Sequence, residues 1–188
     1  MTGIDNRKDL LLLLLYMAGG SERSCEPIRG RTRLMKLLFL LDKQQDIPKA
    51  LGIRNWYDFE PYDFGPFTHE VFNDVEFLRN VGLIQGTTEG AQSVAESKEA
   101  QRVAEEAEGD YPTDFGGMEL PEEEFRLSAK GEAFVERKLL AYLPQGARDD
   151  IGTLKRREGS LSLSSLLRYV YRRFPDWATN SKLGHLGA

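Results

Sequence analysis

The side chains that most often perform catalysis or bind metals are few in this chain of 188 residues. There are two histidines, His69 and His185, and one cysteine, Cys25. Neither histidine lies in an H-E-x-x-H pattern, and a single cysteine can form neither an internal disulfide nor a thiolate metal cluster. The sequence therefore predicts no metal site and favours a reducing, cytoplasmic setting.

Other motifs resemble catalytic ones only in part. The tripeptide Asp63-Phe64-Gly65 matches the magnesium-binding motif of protein kinases, but the chain has no Gly-rich loop, strand lysine or H-R-D loop. The serines from Ser160 to Ser165 are typical of helix caps and turns. The run Glu122–Glu124 is typical of a solvated face. We therefore expect no catalytic residue, no cofactor and a protein that is not an enzyme.

Basic residues form two clusters that are candidates for contacts with nucleic acid. They are Arg29, Arg31, Arg33 and Lys36 in the first cluster, and Lys155, Arg156, Arg157, Arg168, Arg172 and Arg173 in the second. Neutralised phosphates supply most of the non-specific affinity for nucleic acid, so such clusters favour DNA binding. The alternative interpretation is a solvated surface whose charges pair with the carboxylates of the acidic segment 88–121.

Four aromatic residues are candidate anchors for a protein partner: Trp56, Tyr57, Tyr62 and Trp177. Tyr and Trp carry a large share of the binding energy at protein interfaces. The alternative interpretation is that these four residues are buried in the core, and the sequence supports it at least as well as a contact role.

Apolar spacing and capping residues predict the helices that position these candidates. Asp5 or Asn6 caps a first helix that runs to about Ala18. Its run Leu10–Leu15 is far shorter than the roughly 20 residues that span a bilayer, and it predicts a helix buried on all sides. In the second helix, "TRLMKLLFLLDKQQ", leucines recur at i, i+3, i+4 and i+7, which predicts a buried face.

The stretch "FEPYDFGPFTHEVF", Phe59–Phe72, is rich in aromatic residues and turn formers. Its prolines and glycine predict a tight turn from a short strand into a third helix, with Thr68 as the N-cap. Phe67 and Phe72 occupy the positions of a hydrophobic staple. The stretch is therefore expected to be structural.

The third helix is expected to run from about His69 to Val81. Its inward face comprises Val71, Phe72, Val75, Leu78 and Val81. Its outward face is expected to carry Glu70, Asp74 and Glu76 against Arg79. A net negative face repels phosphates and therefore disfavours this helix as a DNA-reading element.

Later segments predict two strands, "LIQGT" and "EFRL", a helix capped by Ser128 that ends near Leu143, and an amphipathic helix, "LSSLLRYVYRRF". Between the two strands, residues 88–121 hold nine acidic and two basic residues, a net charge of −7. The whole chain carries −5, so the remainder carries −5 minus −7, or +2. We expect an exposed helical or mobile insertion there.

The order helix, helix, strand, helix, hairpin, helix resembles the winged-helix arrangement, and "FRLSAKGEAFVERKL" resembles the strand and helix that close a wing. The pair "RLMKLLFLLDKQ" and "FEPYDFGPFTHEVF" resembles the Panacea antitoxin domain family of prokaryotes over roughly residues 31–84. The resemblance implies a mainly α (α+β) winged helix with a small antiparallel hairpin, used without catalysis for regulation or for neutralising a toxin. The expected organisation is a core of residues 1–87 and 122–145, the acidic insertion 88–121 at the wing, and a helical extension 146–188.

The sequence thus favours a cytoplasmic regulatory protein, without a membrane span, that acts by binding a macromolecule. The acidic third helix favours a protein partner, in an antitoxin-like or defence-like role. The alternative is a DNA-binding transcriptional regulator that uses the basic clusters. The sequence does not decide whether the protein forms a homodimer.

Overall fold

The centre of the fold is a helix, α1 (Arg7–Tyr16), whose leucine run is buried on every side. The structure is a computed structural model that describes residues 3–62, 65–86 and 123–178. The Asn6 side chain caps α1 by accepting hydrogen bonds from the N–H groups of Lys8 and Asp9, and the Asp9 carboxylate accepts one from the Asn6 N–H. The predicted buried helix is confirmed, although it ends at Tyr16 and not near Ala18.

The second long helix, α2 (Arg31–Lys43), follows a short strand, β1 (Ile28–Arg29). Its predicted apolar face is confirmed, since Leu34, Leu37, Leu38 and Leu41 are fully buried. A single helical turn, α3 (Ile47–Ala50), comes next and packs against α2.

The sequence predicts that the aromatic stretch turns directly from a strand into a helix, and the structure differs. It forms an antiparallel hairpin of β2 (Glu60–Tyr62) and β3 (Gly65–Phe67), in which Tyr62 lies opposite Gly65. Gly65 has φ +81°, and a Cβ atom there would lie 2.7 Å from Cε1 of Tyr171. The backbone and the neighbouring ring therefore both require glycine.

The next helix, α4 (Glu70–Asn80), begins one residue later than Thr68 would place it. His69 occupies the N-cap position without a side-chain cap, while Thr68 Oγ1 accepts a hydrogen bond from the Glu70 N–H at 3.3 Å. Val71, Val75 and Leu78 are buried as predicted, whereas Val81 is exposed.

Two further strands, β4 (Ile84–Gln85) and β5 (Glu124–Leu127), pair antiparallel as predicted. β1 also pairs with β5, so the strand order is β1-β5-β4. Ser128 is confirmed as the N-cap of α5 (Ala129–Phe134), where its Oγ accepts a hydrogen bond from the Gly131 N–H at 3.0 Å. The helical path continues through a π-helical turn, Val135–Leu139, and a 3-10 turn, Leu140–Tyr142.

The C-terminal part contains two helices, α6 (Gln145–Arg157) and α7 (Leu163–Arg173), and both pack against α2. α7 was predicted and α6 was not. A 3-10 turn, Pro175–Ala178, follows α7 and packs on the hairpin of β2 and β3. The inner face of α7 consists of Leu166, Leu167, Val170 and Tyr171, while Leu163 and Phe174 are only partly buried.

The described part of the chain is therefore mainly helical with a small antiparallel sheet, as the sequence predicted. Within that part, no helix combines the length and the apolar character needed to cross a bilayer. The acidic insertion expected at 88–121 lies outside the described residues.

Candidate protein-binding surface

The first basic cluster is largely engaged within the fold. Lys36 is 2% exposed and its Nζ donates a hydrogen bond to the carbonyl oxygen of Pro66 at 2.8 Å, which ties α2 to β3. Arg33 donates to the carbonyl oxygens of Gly159 and Leu161 at 2.9 and 2.5 Å, in the loop between α6 and α7. The prediction that Lys36 contacts nucleic acid is wrong, because its ammonium group is buried against a backbone acceptor.

Arg31 and Arg29 form ion pairs at the edge of the three-stranded sheet. Arg31 Nε lies 3.6 Å from a Glu123 oxygen, and its guanidinium stacks 3.7 Å from the ring centroid of Phe72. Arg29 is exposed and pairs with Glu124 at 3.2 Å. Glu123 is itself buried and also accepts a hydrogen bond from Arg79 at 2.7 Å. Of this cluster, only Arg29 extends into solvent.

Lys155 of the second cluster is also buried, at 3% exposure. Its Nζ donates to the carbonyl oxygens of Leu15, Met17 and Glu26 at 2.9, 2.7 and 2.6 Å, so it caps the carboxyl end of α1. Burial lowers the pKa of Lys155 to about 8, against a smaller opposing effect of the Glu26 carboxylate. Its predicted role as a nucleic-acid contact is wrong for the same reason as that of Lys36.

The remaining arginines of the second cluster are exposed. They are Arg156 and Arg157 at the end of α6, and Arg168, Arg172 and Arg173 on α7. Arg156 donates to Thr153 Oγ1 at 3.3 Å, and Arg173 lies 5.8 Å from the ring centroid of Phe174. Within the described residues, no carboxylate forms an ion pair with any of these five side chains.

The four aromatic candidates differ in exposure. Tyr57 is buried, and its hydroxyl has no hydrogen-bond partner in the described part of the chain. Trp56 and Trp177 are partly buried, the latter with its ring centroid 4.9 Å from that of Phe39 in the core. Only Tyr62, at 55% exposure, presents its ring to solvent. Burial removes Tyr57 from the candidate anchors.

Tyr62 belongs to a line of aromatic rings that runs along the hairpin towards α4. Its ring centroid lies 5.2 Å from that of Phe67, which is in turn 6.5 Å from Phe72 and 4.7 Å from exposed His69. Phe67 is half-buried and packs against Tyr62, while half-buried Phe72 packs against Phe67. Such a supported ring loses little conformational freedom on binding.

The outward face of α4 carries little charge. At 100° per residue, His69, Asn73, Glu76 and Asn80 share this face, with Phe77 at one edge and Phe72 at the other. Phe77 is 51% exposed, and Lys8 Nζ lies 5.5 Å from its ring centroid. Sequence reasoning missed Phe77, although its position outside the apolar arc of the helix predicts exposure.

Asp74 does not lie on that outward face, contrary to prediction. It is buried, and it accepts a 2.6 Å hydrogen bond from Arg7 Nε, while Lys8 Nζ lies 3.3 Å from its other oxygen. Arg7 also donates to Glu70 at 2.7 Å. Burial raises the pKa of Glu70, but hydrogen bonds from Arg7 and the Asp58 N–H outweigh burial and lower it. This network fixes α4 against the start of α1.

No group of three or more histidine, cysteine, aspartate or glutamate side chains in the described residues is arranged to hold a metal ion. No family model, curated protein or solved structure matches the chain. The resemblance to the Panacea antitoxin domain therefore stays a prediction.

Proposed function

We propose that this protein is a non-catalytic winged-helix regulatory protein of prokaryotic type that binds a protein partner, in an antitoxin-like or defence-like role. The order α1, β1, α2, α4, β4, β5 and the strand order β1-β5-β4 support the winged-helix assignment. In such an arrangement α4 occupies the place of the helix that commonly contacts a ligand. A cytoplasmic location is part of the proposal.

The observation that carries the proposal is the exposure of Tyr62 and Phe77, both more than half accessible to solvent. Aromatic side chains of this size bury roughly 150–250 Å² when covered, and each Å² of apolar surface contributes about 25 cal/mol. Covering the exposed half of one ring is therefore worth about 2–3 kcal/mol. Two such rings supply the anchors of a protein interface.

The outward face of α4 supports a protein partner over duplex DNA. Arg79 is the one arginine or lysine in α4, and it is engaged by Glu123 at 2.7 Å. Glu76 is exposed on the same helix. A helix that enters the major groove needs donors for base edges and cations for phosphates, and this face provides amides, a histidine and a carboxylate instead.

The test is affinity purification from native extract, with nuclease present, of the wild type and of the variants Y62S, F77S and Y142S. Tyr142 is 49% exposed on the 3-10 turn after α5, so Y142S is a matched control for loss of an exposed aromatic ring. We expect a partner that Y142S retains and that Y62S and F77S lose, with all three variants still showing a cooperative unfolding transition. Equal retention by all four proteins would contradict the proposal.

The second candidate function, a DNA-binding transcriptional regulator, is favoured by the five exposed arginines on α6 and α7. We expect no measurable duplex binding at about 150 mM salt. A mobility shift with sub-micromolar affinity, well tighter than ordinary non-specific binding, would make this the preferred function. In that case each Arg→Ala change should lower the log–log salt slope by about one.

A further inference from the structure

The exposed part of α7 carries three arginines, which we call the arginine face: Arg168, Arg172 and Arg173. Arg168 and Arg172 are one turn apart and therefore neighbours, separated by about 6 Å along the axis. None of the three forms an ion pair with a described residue. The opposite side of α7 is buried against α2.

Helix stability accounts for two of these arginines but not for Arg168. Arg172 and Arg173 lie in the last turn, where positive charge interacts favourably with the helix dipole. Arg168 lies in the middle of the helix, and its like-charged neighbour at i+4 disfavours the helix. An acidic residue at position 168 would instead form a favourable pair with Arg172.

The helix that carries the arginine face, α7, packs against the hairpin that carries Tyr62. Tyr62 lies opposite Gly65 in the hairpin, and the Gly65 backbone lies directly against the Tyr171 ring in the last turn of α7. β3 packs against α7, and the 3-10 turn after α7 packs against both strands of the hairpin. Tyr62 and the last turn of α7 are thus parts of one continuous region of the fold.

We propose that the partner presents a short, extended acidic segment to the arginine face, with an apolar residue of that segment against Tyr62. This inference rests on the proposed function and names the chemistry of the partner. Alternate side chains of an extended chain are about 6.6 Å apart, which matches the spacing of Arg168 and Arg172. Carboxylates at alternate positions would therefore each meet one guanidinium, in charge-assisted hydrogen bonds.

The limited extent of the arginine face favours a short acidic segment over a long polyanion. The chain as a whole carries −5, and the nearby cations Arg31, Arg33 and Lys36 are engaged inside the fold. A nucleic acid that crosses the arginine face would need further cations along its path, and Arg31, Arg33 and Lys36 are not available to supply them. A short acidic peptide needs no cations beyond the arginine face.

The probe is a fluorescein-labelled peptide in which glutamate alternates with serine and one end carries leucine, titrated into the full chain by fluorescence anisotropy. Its control replaces each glutamate with glutamine. Single-stranded and duplex oligonucleotides, and a peptide of the chain's own residues 96–110, are titrated in parallel. The variants are R168E and, as a control with the same change of charge, R137E, because Arg137 is exposed on the π-helical turn after α5.

We expect R168E to weaken binding of the glutamate peptide at least about tenfold, equivalent to about 1.4 kcal/mol, and R137E to change it less than about twofold. The melting temperature of R168E should be equal to or above that of the wild type. No saturable binding by the wild type, or equal loss in both variants, would overturn the inference. Tighter binding of an oligonucleotide or of the 96–110 peptide would overturn it by identifying another occupant.

Failure here differs from failure of the proposed function. If a protein partner is lost in F77S but retained in R168E, the protein-binding role stands and the acidic segment is refuted. If no partner depends on Tyr62 or Phe77, the proposed function itself fails.

Discussion

Replacing Lys155 with methionine tests whether this residue supports the fold or contacts a ligand. Methionine keeps the length and apolar stem but removes the donor to the carbonyls of Leu15, Met17 and Glu26. Each buried acceptor left without a partner costs about 1–3 kcal/mol, or about 3–9 kcal/mol for three. Loss of the buried charge offsets part of this cost. The pKa of Lys155 falls from 10.5 to about 8, and 2.5 units at 1.36 kcal/mol each give about 3 kcal/mol. We expect K155M to lower the free energy of unfolding by about 3 kcal/mol at neutral pH.

The same shift predicts a pH dependence of defined sign. Because the pKa of Lys155 is lower in the folded state, the unfolded chain binds more protons between pH 8 and 10.5. The contribution of Lys155 to stability therefore rises with pH across this window, by up to about 3 kcal/mol, and K155M lacks this rise. Burial raises the pKa of Cys25 to about 11, which acts in the opposite direction, but the comparison of the two proteins removes most of that effect because both contain Cys25.

The assay is urea unfolding of wild type, K155M and R156M from pH 7 to pH 10. Arg156 is exposed on the same helix, so R156M should change stability by no more than about 0.5 kcal/mol. If K155M unfolds at the same urea concentration as the wild type but loses a binding partner, Lys155 is a surface contact and the structural argument is refuted.

Three further substitutions, at Phe67, Phe72 and Gly65, test the packing of the hairpin of β2 and β3. F67A and F72A should each lower the free energy of unfolding by about 1–3 kcal/mol, measured in urea. This is less than the roughly 3–5 kcal/mol expected for fully buried rings, because both rings are half-buried. A loss of partner binding without any loss of stability would instead make Phe67 and Phe72 contact residues. G65A should cost about 1–2 kcal/mol for its positive φ, and the clash with Tyr171 should add to that cost. G52A, at φ +74° with open space around it, should cost only the roughly 1–2 kcal/mol for the positive φ. Equal costs for G65A and G52A would show that the Tyr171 ring moves aside freely.

Local signals in the sequence were sufficient for several elements. The leucine spacing of α2 and the cap at Ser128 depend on residues close in sequence, and both are as predicted. The hairpin of β2 and β3 was not predicted, because proline in both strands removes donors for the hydrogen bonds between strands and favours a turn. Here Pro61 and Pro66 face each other across two strands of three residues each, too short to need every donor.

The candidate site was harder to predict because charge type alone does not reveal burial. Lys36 and Lys155 can be buried because backbone carbonyls distant in sequence accept hydrogen bonds from their ammonium groups, an arrangement that only tertiary packing creates. Asp74 is buried because Arg7 and Lys8 approach it from α1. α6 was missed because only Ile151 and Leu154 are large apolar residues on its buried face.

The central claim is that Tyr62 and Phe77 contact a protein. Site-specific photo-crosslinking in the native host tests it most directly, with benzoylphenylalanine placed in turn at positions 62, 77 and 142. We predict crosslinks to the same protein from positions 62 and 77, resistant to nuclease, and none from position 142. Crosslinks to nucleic acid from position 62 or 77, or the same pattern from all three positions, would contradict the claim.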